Sequence, residues 1–295
     1  KYTVTGAGAR DWLNRIMAGR IPQPGRVSLT PMLSPKGRLI GDFTVSCLGP
    51  EAFQLTAFYG AQAFHMRWFE QNEAEGVRVE NISDRLNGFQ IAGPRACDVL
   101  AAAAGRDVSD IAFLDVRQMV LGMSDCLVQR VSYTGDLGYE LWVSASLQTR
   151  LFDLLLDAGA AHGIHPFGLR ALDSMRFDKD FGAWTTEYRP TYTPGEAGMD
   201  RFVKPEKGDF IGRDAVVAER EAGPERRLCA FTLEPGEDEE AADVLGDEPI
   251  WHGGEVVGWV TSGGYAHWSR ASCALGYLPV AIADEADFEI EVLGI

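Results

Sequence analysis

The chain has 295 residues, with 43 Asp or Glu against 27 Lys or Arg, a formal net charge of −16 at pH 7. A surface that grips a phosphate backbone needs a basic stripe, so this balance argues against nucleic acid or anionic lipid as a partner and leaves only local basic pockets for small anions. The hydrophobic fraction of 46% with 24% charged residues is globular, the length suits about two domains, and no apolar run approaches the ~20 residues of a membrane helix.

Cys47, Cys97, Cys126, Cys229 and Cys273 occur singly and never as CxxC. They read as reduced, mostly buried thiols of a cytosol-like compartment, so the expected location is cytoplasmic, or the mitochondrial matrix in a eukaryote. The first residues show no signal-peptide pattern, and opening directly on a strand suggests that upstream residues are absent.

Tyr2 to Thr5 reads as a strand and Ala9 to Met17 as an amphipathic helix with Trp12, Leu13 and Ile16 inward. Between them, Gly6 and Gly8 suggest a dinucleotide fingerprint, but Asp11 holds the third glycine's place and no acidic residue lies about twenty positions on, so they read as a tight turn. Arg38 to Leu48 alternates as a strand and pairs with Phe53 to Phe58 through the turn at Gly49-Pro50. Ala61 to Gln71 reads as a helix burying Phe64, Trp68 and Phe69, and Gly88 to Ala92 as a strand before the helix Ala96 to Ala104. Leu127 to Tyr133 and Tyr139 to Val143 face one another across Thr134 to Gly138. Helices follow at Leu147 to Ala160 and Gly168 to Phe177, then irregular chain at Pro190 to Gly198. A polar, turn-rich stretch at Glu219 to Arg227 places a domain boundary at 222/223, and Glu234 to Glu248 reads as a solvated acidic loop.

His162 and His165 are spaced HxxH, but without convergent partners they predict no metal site. Arg170, Asp173 and Arg176 fit a surface ion-pair row, and Lys36, Arg38, Lys204 and Lys207 are either solvated or draw a polyanionic tail. Two carboxylates sit awkwardly. Asp42 lies mid-strand beside Gly41, where another molecule can approach closely, although an Asp on the wet face of a half-buried strand would look the same. Glu140 alternates with the apolar Tyr139, Leu141 and Val143 and shares its face with Trp142. A carboxylate there can accept two parallel hydrogen bonds from a heterocycle with adjacent N–H and NH2 groups while an aromatic ring covers its π face; a strand-edge Glu in water is the plainer reading.

The segments Leu29 to Val45, Phe64 to Asn72, Arg130 to Leu141, Pro166 to Phe177, Tyr192 to Ala215 and Gly254 to Pro279 together resemble the aminomethyltransferase, or glycine-cleavage T-protein, superfamily. Within it the chain is most similar to the folate-binding half of dimethylglycine and sarcosine dehydrogenases. The resemblance implies an α+β, three-lobed fold: two mixed α/β lobes within 1–222, their opening segment missing, and a C-terminal β-barrel at 223–295 lacking its last strands, around a central folate channel. It implies Asp42 as the catalytic residue and Glu140, Tyr133, Trp142, Arg176 and Trp184 as folate-binding residues, with tetrahydrofolate as cofactor, no metal, and FAD on an upstream domain or partner subunit. Leu172 stands where glycine-cleavage proteins carry a folate-holding Arg, Arg201 where they carry Trp, and Phe58-Tyr59 near the place of an Asn, which favours the flavin-linked branch and leaves the holder of the glutamate tail open. The implied activity is capture on tetrahydrofolate of the methylene from an N-methyl amine oxidised by that flavin domain, giving 5,10-methylenetetrahydrofolate. The alternatives are a stand-alone folate methyltransferase acting on a betaine, sulfonium or methoxy compound, and a folate-binding protein without turnover. Met32, Tyr59, Trp184 and Tyr188 are candidates to face the methyl donor.

Overall fold

The computed structural model describes residues 1–234 and 243–292. The chain is α+β, with three sheets distributed over two compact units. One unit comprises residues 1–32 and 42–167, the other residues 33–41 and 168–295.

The first unit opens with β1 (Tyr2–Thr5) and α1 (Ala9–Ile16), whose buried side is Ala9, Trp12, Leu13 and Ile16. The turn between them is closed on its own chain. Gly6 has φ +118°, and a Cβ there would meet the Gly76 carbonyl oxygen at 2.0 Å, so its glycine serves backbone packing and leaves no phosphate cradle. Then come β2 (Val27–Leu33), β3 (Leu39–Gly49), β4 (Ala52–Thr56), α2 (Gln62–Gln71) and β5 (Arg78–Asn81), the strands forming one sheet in the order β2-β3-β4-β1-β5.

Alternation gives that sheet two unlike faces. Tyr2, Val4, Phe43, Val45, Cys47, Phe53 and Leu55 are buried, and the Tyr2, Phe43 and Phe69 rings pack with centroids 5.2–6.3 Å apart. In α2 the inward residues are His65 and Phe69, whereas Phe64 is exposed and Trp68 half-buried, contrary to the sequence expectation. A histidine suits the core position because its Nδ1 shares a 3.1 Å hydrogen bond with the Tyr2 hydroxyl.

The unit's second sheet, ordered β6-β9-β8-β7, is built from β6 (Leu86–Ala92), β7 (Val116–Leu121), β8 (Ser124–Gln129) and β9 (Gly138–Ser144). Helices α3 (Ala96–Ala104) and α4 (Gln148–Gly159) share its core: Val99, Leu100, Leu151 and Leu155 pack with Ile91, Val128, Tyr139, Leu141 and Val143. The β8–β9 register pairs Gln129 with Glu140, so the connection runs from Arg130 to Leu137 and is longer than the expected Thr134 to Gly138. Beyond Gln129 the backbone of Arg130 continues its hydrogen bonds toward Leu114 and Asp115 on the β7 side.

The second unit contains α5 (Leu169–Phe177), α6 (Arg213–Ala222) and a sheet ordered β10-β13-β12-β11-β14, from β10 (Arg226–Leu233), β11 (Pro249–His252), β12 (Glu255–Ala266), β13 (Ala271–Pro279) and β14 (Glu289–Ile290). The expected acidic loop falls largely on residues 235–242, outside the described residues. Of its described part, Glu248 accepts backbone hydrogen bonds from Leu245 (2.8 Å) and Gly246 (2.7 Å). No helix among the described residues is long and apolar enough to cross a membrane.

Candidate functional site

Each sheet of the first unit packs one face on helices, and the chemistry collects on the other. On β3 the alternation that turns Phe43, Val45 and Cys47 toward the helices turns Asp42, Thr44 and Ser46 the opposite way. Register continues that face across β4, with Thr56 opposite Thr44 and Gln54 opposite Ser46. On β9 the outward set is Glu140 and Trp142, flanked by Gln90 and Gln129 beside Glu140 and by Gly88 and Leu127 beside Trp142. The two faces are tied together by one side-chain hydrogen bond. Gln129 Nε2 donates to Ser46 Oγ at 2.8 Å, and neither residue has any surface left to water.

These faces leave polar atoms buried without partners. Glu140 Oε2, Gln129 Oε1, Thr56 Oγ1, Gln54 Nε2 and the Trp142 indole N–H are all enclosed with no hydrogen bond. A buried polar group without a partner costs ~1–3 kcal/mol, and a folded chain ordinarily pairs more than nine in ten. Five such atoms lie on the two linked faces, and together they offer both donors and acceptors to a polar ligand.

The carboxylates respond to the same enclosure. Burial raises the Asp42 carboxyl to about 6, with a hydrogen bond from its own backbone opposing. Burial raises Glu140 to about 7, with the neighbouring Trp142 indole opposing. At neutral pH Asp42 is therefore mostly ionised and still basic enough to take a proton, whereas Glu140 is poised between its two forms and gains from any ligand N–H that favours the anion. The Trp142 ring packs closely against β6 at Gly88, where a Cβ would come within 2.5 Å of it. The Lys1 ammonium sits 5.9 Å from the centre of that ring and 6.0 Å from Tyr59's, and the Tyr59 hydroxyl donates to Asp84 at 3.1 Å.

Of the expected site residues, Asp42, Glu140, Trp142 and the half-buried Tyr133 lie in the first unit. Arg176 and the half-buried Trp184 lie in the second. Arg176 is not the surface residue that its helical spacing suggested. Its Nε donates to Asp173 at 2.9 Å, and one Nη donates to the Phe181 carbonyl at 2.9 Å and to Glu187 at 3.3 Å. Glu187 is fully enclosed and also accepts from Ala183 N, Thr186, Thr261 and Ser262 at 2.5–2.8 Å. Arg38 pairs with Glu196 at 2.9 Å, so it too is held by its own unit.

Sequence reasoning missed Gln129, Ser46, Gln54, Thr56 and Glu187. A signal for the first exists in the isolated polar residue of the Leu127-Val128-Gln129 run, but placing it opposite Glu140 requires the register of a hairpin whose connection is longer than the Thr134 to Gly138 turn. Among the described residues no group of three or more His, Cys, Asp or Glu is placed to hold a metal ion.

The chain matches two family models, the GCVT N-terminal domain over residues 1–207 and the glycine cleavage T-protein C-terminal barrel domain over residues 226–295. It is 36% identical over its whole length to human mitochondrial dimethylglycine dehydrogenase, of which it covers 34%, so it spans about a third of that protein. It is 32% identical to the aminomethyltransferase of Moorella thermoacetica, with 91% of this chain and 73% of that protein aligned. The crystal structure of the glycine cleavage system aminomethyltransferase T from Bartonella henselae superposes with a TM-score of 0.88, covering all of this chain and 80% of that one at 22% identity.

Proposed function

Because the chain belongs to the glycine-cleavage T-protein family of aminomethyltransferases, we propose that it binds tetrahydrofolate and transfers a one-carbon unit from an N-methyl amine onto it. The observation that carries this reading is the enclosed Glu140 carboxylate with no donor of its own on Oε2. The pterin ring of tetrahydrofolate presents adjacent N–H and NH2 donors, the complement of a carboxylate, and its carbonyl and ring nitrogens suit the unpartnered Gln54 and Trp142 N–H groups. Bound there, tetrahydrofolate supplies the nucleophilic nitrogen.

The protein's part is orientation and charge. Glu140 fixes the heterocycle edge-on, an effect that lowers a barrier by several kcal/mol and up to ~7 or more when alignment is good. Asp42, on the facing polar surface, stabilises positive charge on the incoming carbon unit and accepts the proton released at nitrogen, both of which a carboxylate with a pKa of about 6 can do at pH 7. We assign Tyr133, on the loop between β8 and β9, as a further folate contact. The second-unit assignments stand differently: Arg176 acts by holding its own unit together, and Trp184 remains a candidate to contact folate.

The likeness to dimethylglycine dehydrogenase along the whole chain supports a linked flavin domain or subunit as the source of the oxidised methyl. The glycine-rich turn at Gly6 is filled by its own backbone, so the flavin is assigned elsewhere. Titration calorimetry with 5-formyltetrahydrofolate tests the folate reading. The wild type is expected to bind in the micromolar range and Glu140→Ala to lose ~2 kcal/mol or more of that affinity. A Glu140→Ala variant that binds as well as the wild type would remove the pterin assignment.

A further inference from the structure

The pairing of Gln129 with Glu140 across β8 and β9 puts two enclosed acceptors side by side. Residues directly opposed in an antiparallel ladder have Cα atoms ~4.5–5.5 Å apart and side chains on one face. Glu140 presents Oε2 and Gln129 presents Oε1, and neither receives a hydrogen bond. The orientation of the Gln129 carboxamide is set from behind. Its Nε2 is spent on Ser46 Oγ, so the amide hydrogens face β3 and the carbonyl oxygen, on the other side of the amide, keeps its accepting capacity unused. One carboxylate oxygen without a donor is satisfied by any amidine-like edge. A second acceptor one strand away asks for a further hydrogen, and the exocyclic amine of a 2-amino-4-oxo ring has two, one for each neighbour.

We propose that Gln129 is a second recognition residue of this site, its Oε1 accepting the outer hydrogen of the ligand's exocyclic amine while Glu140 accepts the inner hydrogen and the ring N–H, and that Ser46 is the positioning residue that aims the Gln129 amide. The inference rests on the folate reading above and extends it from one carboxylate to a pair of acceptors that selects for the amine. Ser46 also lies on the same strand and face as Asp42, four residues on. The bond that aims the recognition amide therefore also ties the reacting carboxylate's strand to the sheet that holds the ring.

The test compares two ligands on the intact chain by calorimetry: 5-formyltetrahydrofolate and the same molecule with its 2-amino group replaced by methyl. Wild type should prefer the amino ligand by ~100-fold or more, as sites built around a hydrogen-bonding group do. Gln129→Met, which keeps the length and removes the acceptor, should weaken the amino ligand ~10-fold or more while leaving the methyl analogue's affinity unchanged or improved, so the preference shrinks. Ser46→Ala should shrink it in the same direction by a smaller factor, because the amide is then free to rotate. Equal loss for both ligands in Gln129→Met, or an unchanged preference, would overturn the assignment, since a residue that merely supports the fold weakens both alike. If Gln129→Met does not fold, the preference measured in Ser46→Ala decides. The two readings fail differently: no binding of the amino ligand by wild type sinks the folate reading and this one with it, whereas wild-type binding lost in Glu140→Ala but indifferent to Gln129 and Ser46 sinks this one alone.

Discussion

Asp42 and Glu140 sit on strands whose alternate residues build the two cores, so both are extended, fixed and backed by rigid packing. That rigidity is what makes their roles separable. Asp42→Asn preserves shape and hydrogen-bonding capacity but can neither take a proton nor offset positive charge. The expected result is one-carbon transfer slowed ~10²-fold or more at saturating folate and amine, with reduced-folate affinity little changed. Steady-state kinetics beside a binding titration checks both halves, and undiminished turnover would take Asp42 out of the chemistry. Glu140→Gln has a signature in the ligand-free protein as well. With a folded-state pKa of about 7 against 4.5 when unfolded, the native carboxyl binds more protons than the unfolded one between those values, so stability falls as pH rises through that window. Removing the charge should stabilise the empty protein by about 1–3 kcal/mol at pH 8 and by almost nothing near pH 4. Urea denaturation at the two pH values measures the difference, and a pH-independent effect would mean that burial is not what holds the proton.

At the level of elements, the site depends on where β6 lacks a side chain. Gly88 lets the Trp142 ring lie against the backbone, and any Cβ there meets three ring carbons within 2.9 Å. Gly88→Ala should therefore push the indole outward from the strand without much cost to the sheet, because alanine is no worse a strand residue than glycine. Folate affinity is expected to drop ~10-fold while the melting temperature moves by no more than the equivalent of ~1 kcal/mol. Thermal unfolding and calorimetry on the same sample separate the two effects; a large stability loss with intact affinity would show that Trp142 serves the core and not the ligand. The same strands explain what the sequence could and could not reveal. Asp42 and Glu140 stood out because a charged residue interrupting an alternating apolar run is visible without any fold. Gln129, Thr56 and Gln54 did not, because a neutral polar residue in a strand is ordinary until the register places it beside a particular neighbour, and register is a long-range property. The α2 stripe departs from the sequence pattern for a related reason: Phe64 is the more hydrophobic residue, but His65 has the buried Tyr2 hydroxyl as a partner.

For the molecule as a whole, what matters is that ionisable groups are buried in two opposite ways. In the first unit burial outweighs the few donors that the Asp42 and Glu140 carboxylates have, and their pKa values rise. In the second, burial also pushes Glu187 upward, but the Arg176 charge and the hydroxyls of Ser262, Thr261 and Thr186 outweigh it and hold the carboxyl below its ordinary value. That carboxylate stitches together residues far apart in sequence: α5 through Arg176, the turn at Ala183, and β12 through Thr261 and Ser262, while Tyr277 of β13 donates to the Glu187 backbone carbonyl at 2.8 Å. Helical spacing made Arg176 look like an exposed partner of Asp173, since nothing local in the sequence announces that a glutamate eleven residues later is its counter-ion. Glu187→Ala leaves the buried guanidinium facing several stranded hydroxyls, and such a break is expected to cost ~3–5 kcal/mol. Because the Glu187 pKa is depressed, its contribution is fully present above the ordinary carboxylate range and is lost as pH falls through the lower folded value. The deficit of Glu187→Ala relative to wild type should thus be largest at neutral pH and narrow in acid, opposite to the pH course expected of Glu140→Gln. Chemical denaturation of both variants from pH 4 to 8 would reveal the crossing trends, and a Glu187→Ala variant as stable as wild type at pH 7 would show that the Arg176 network carries no net stability and that Arg176 is free to be reassigned toward a ligand.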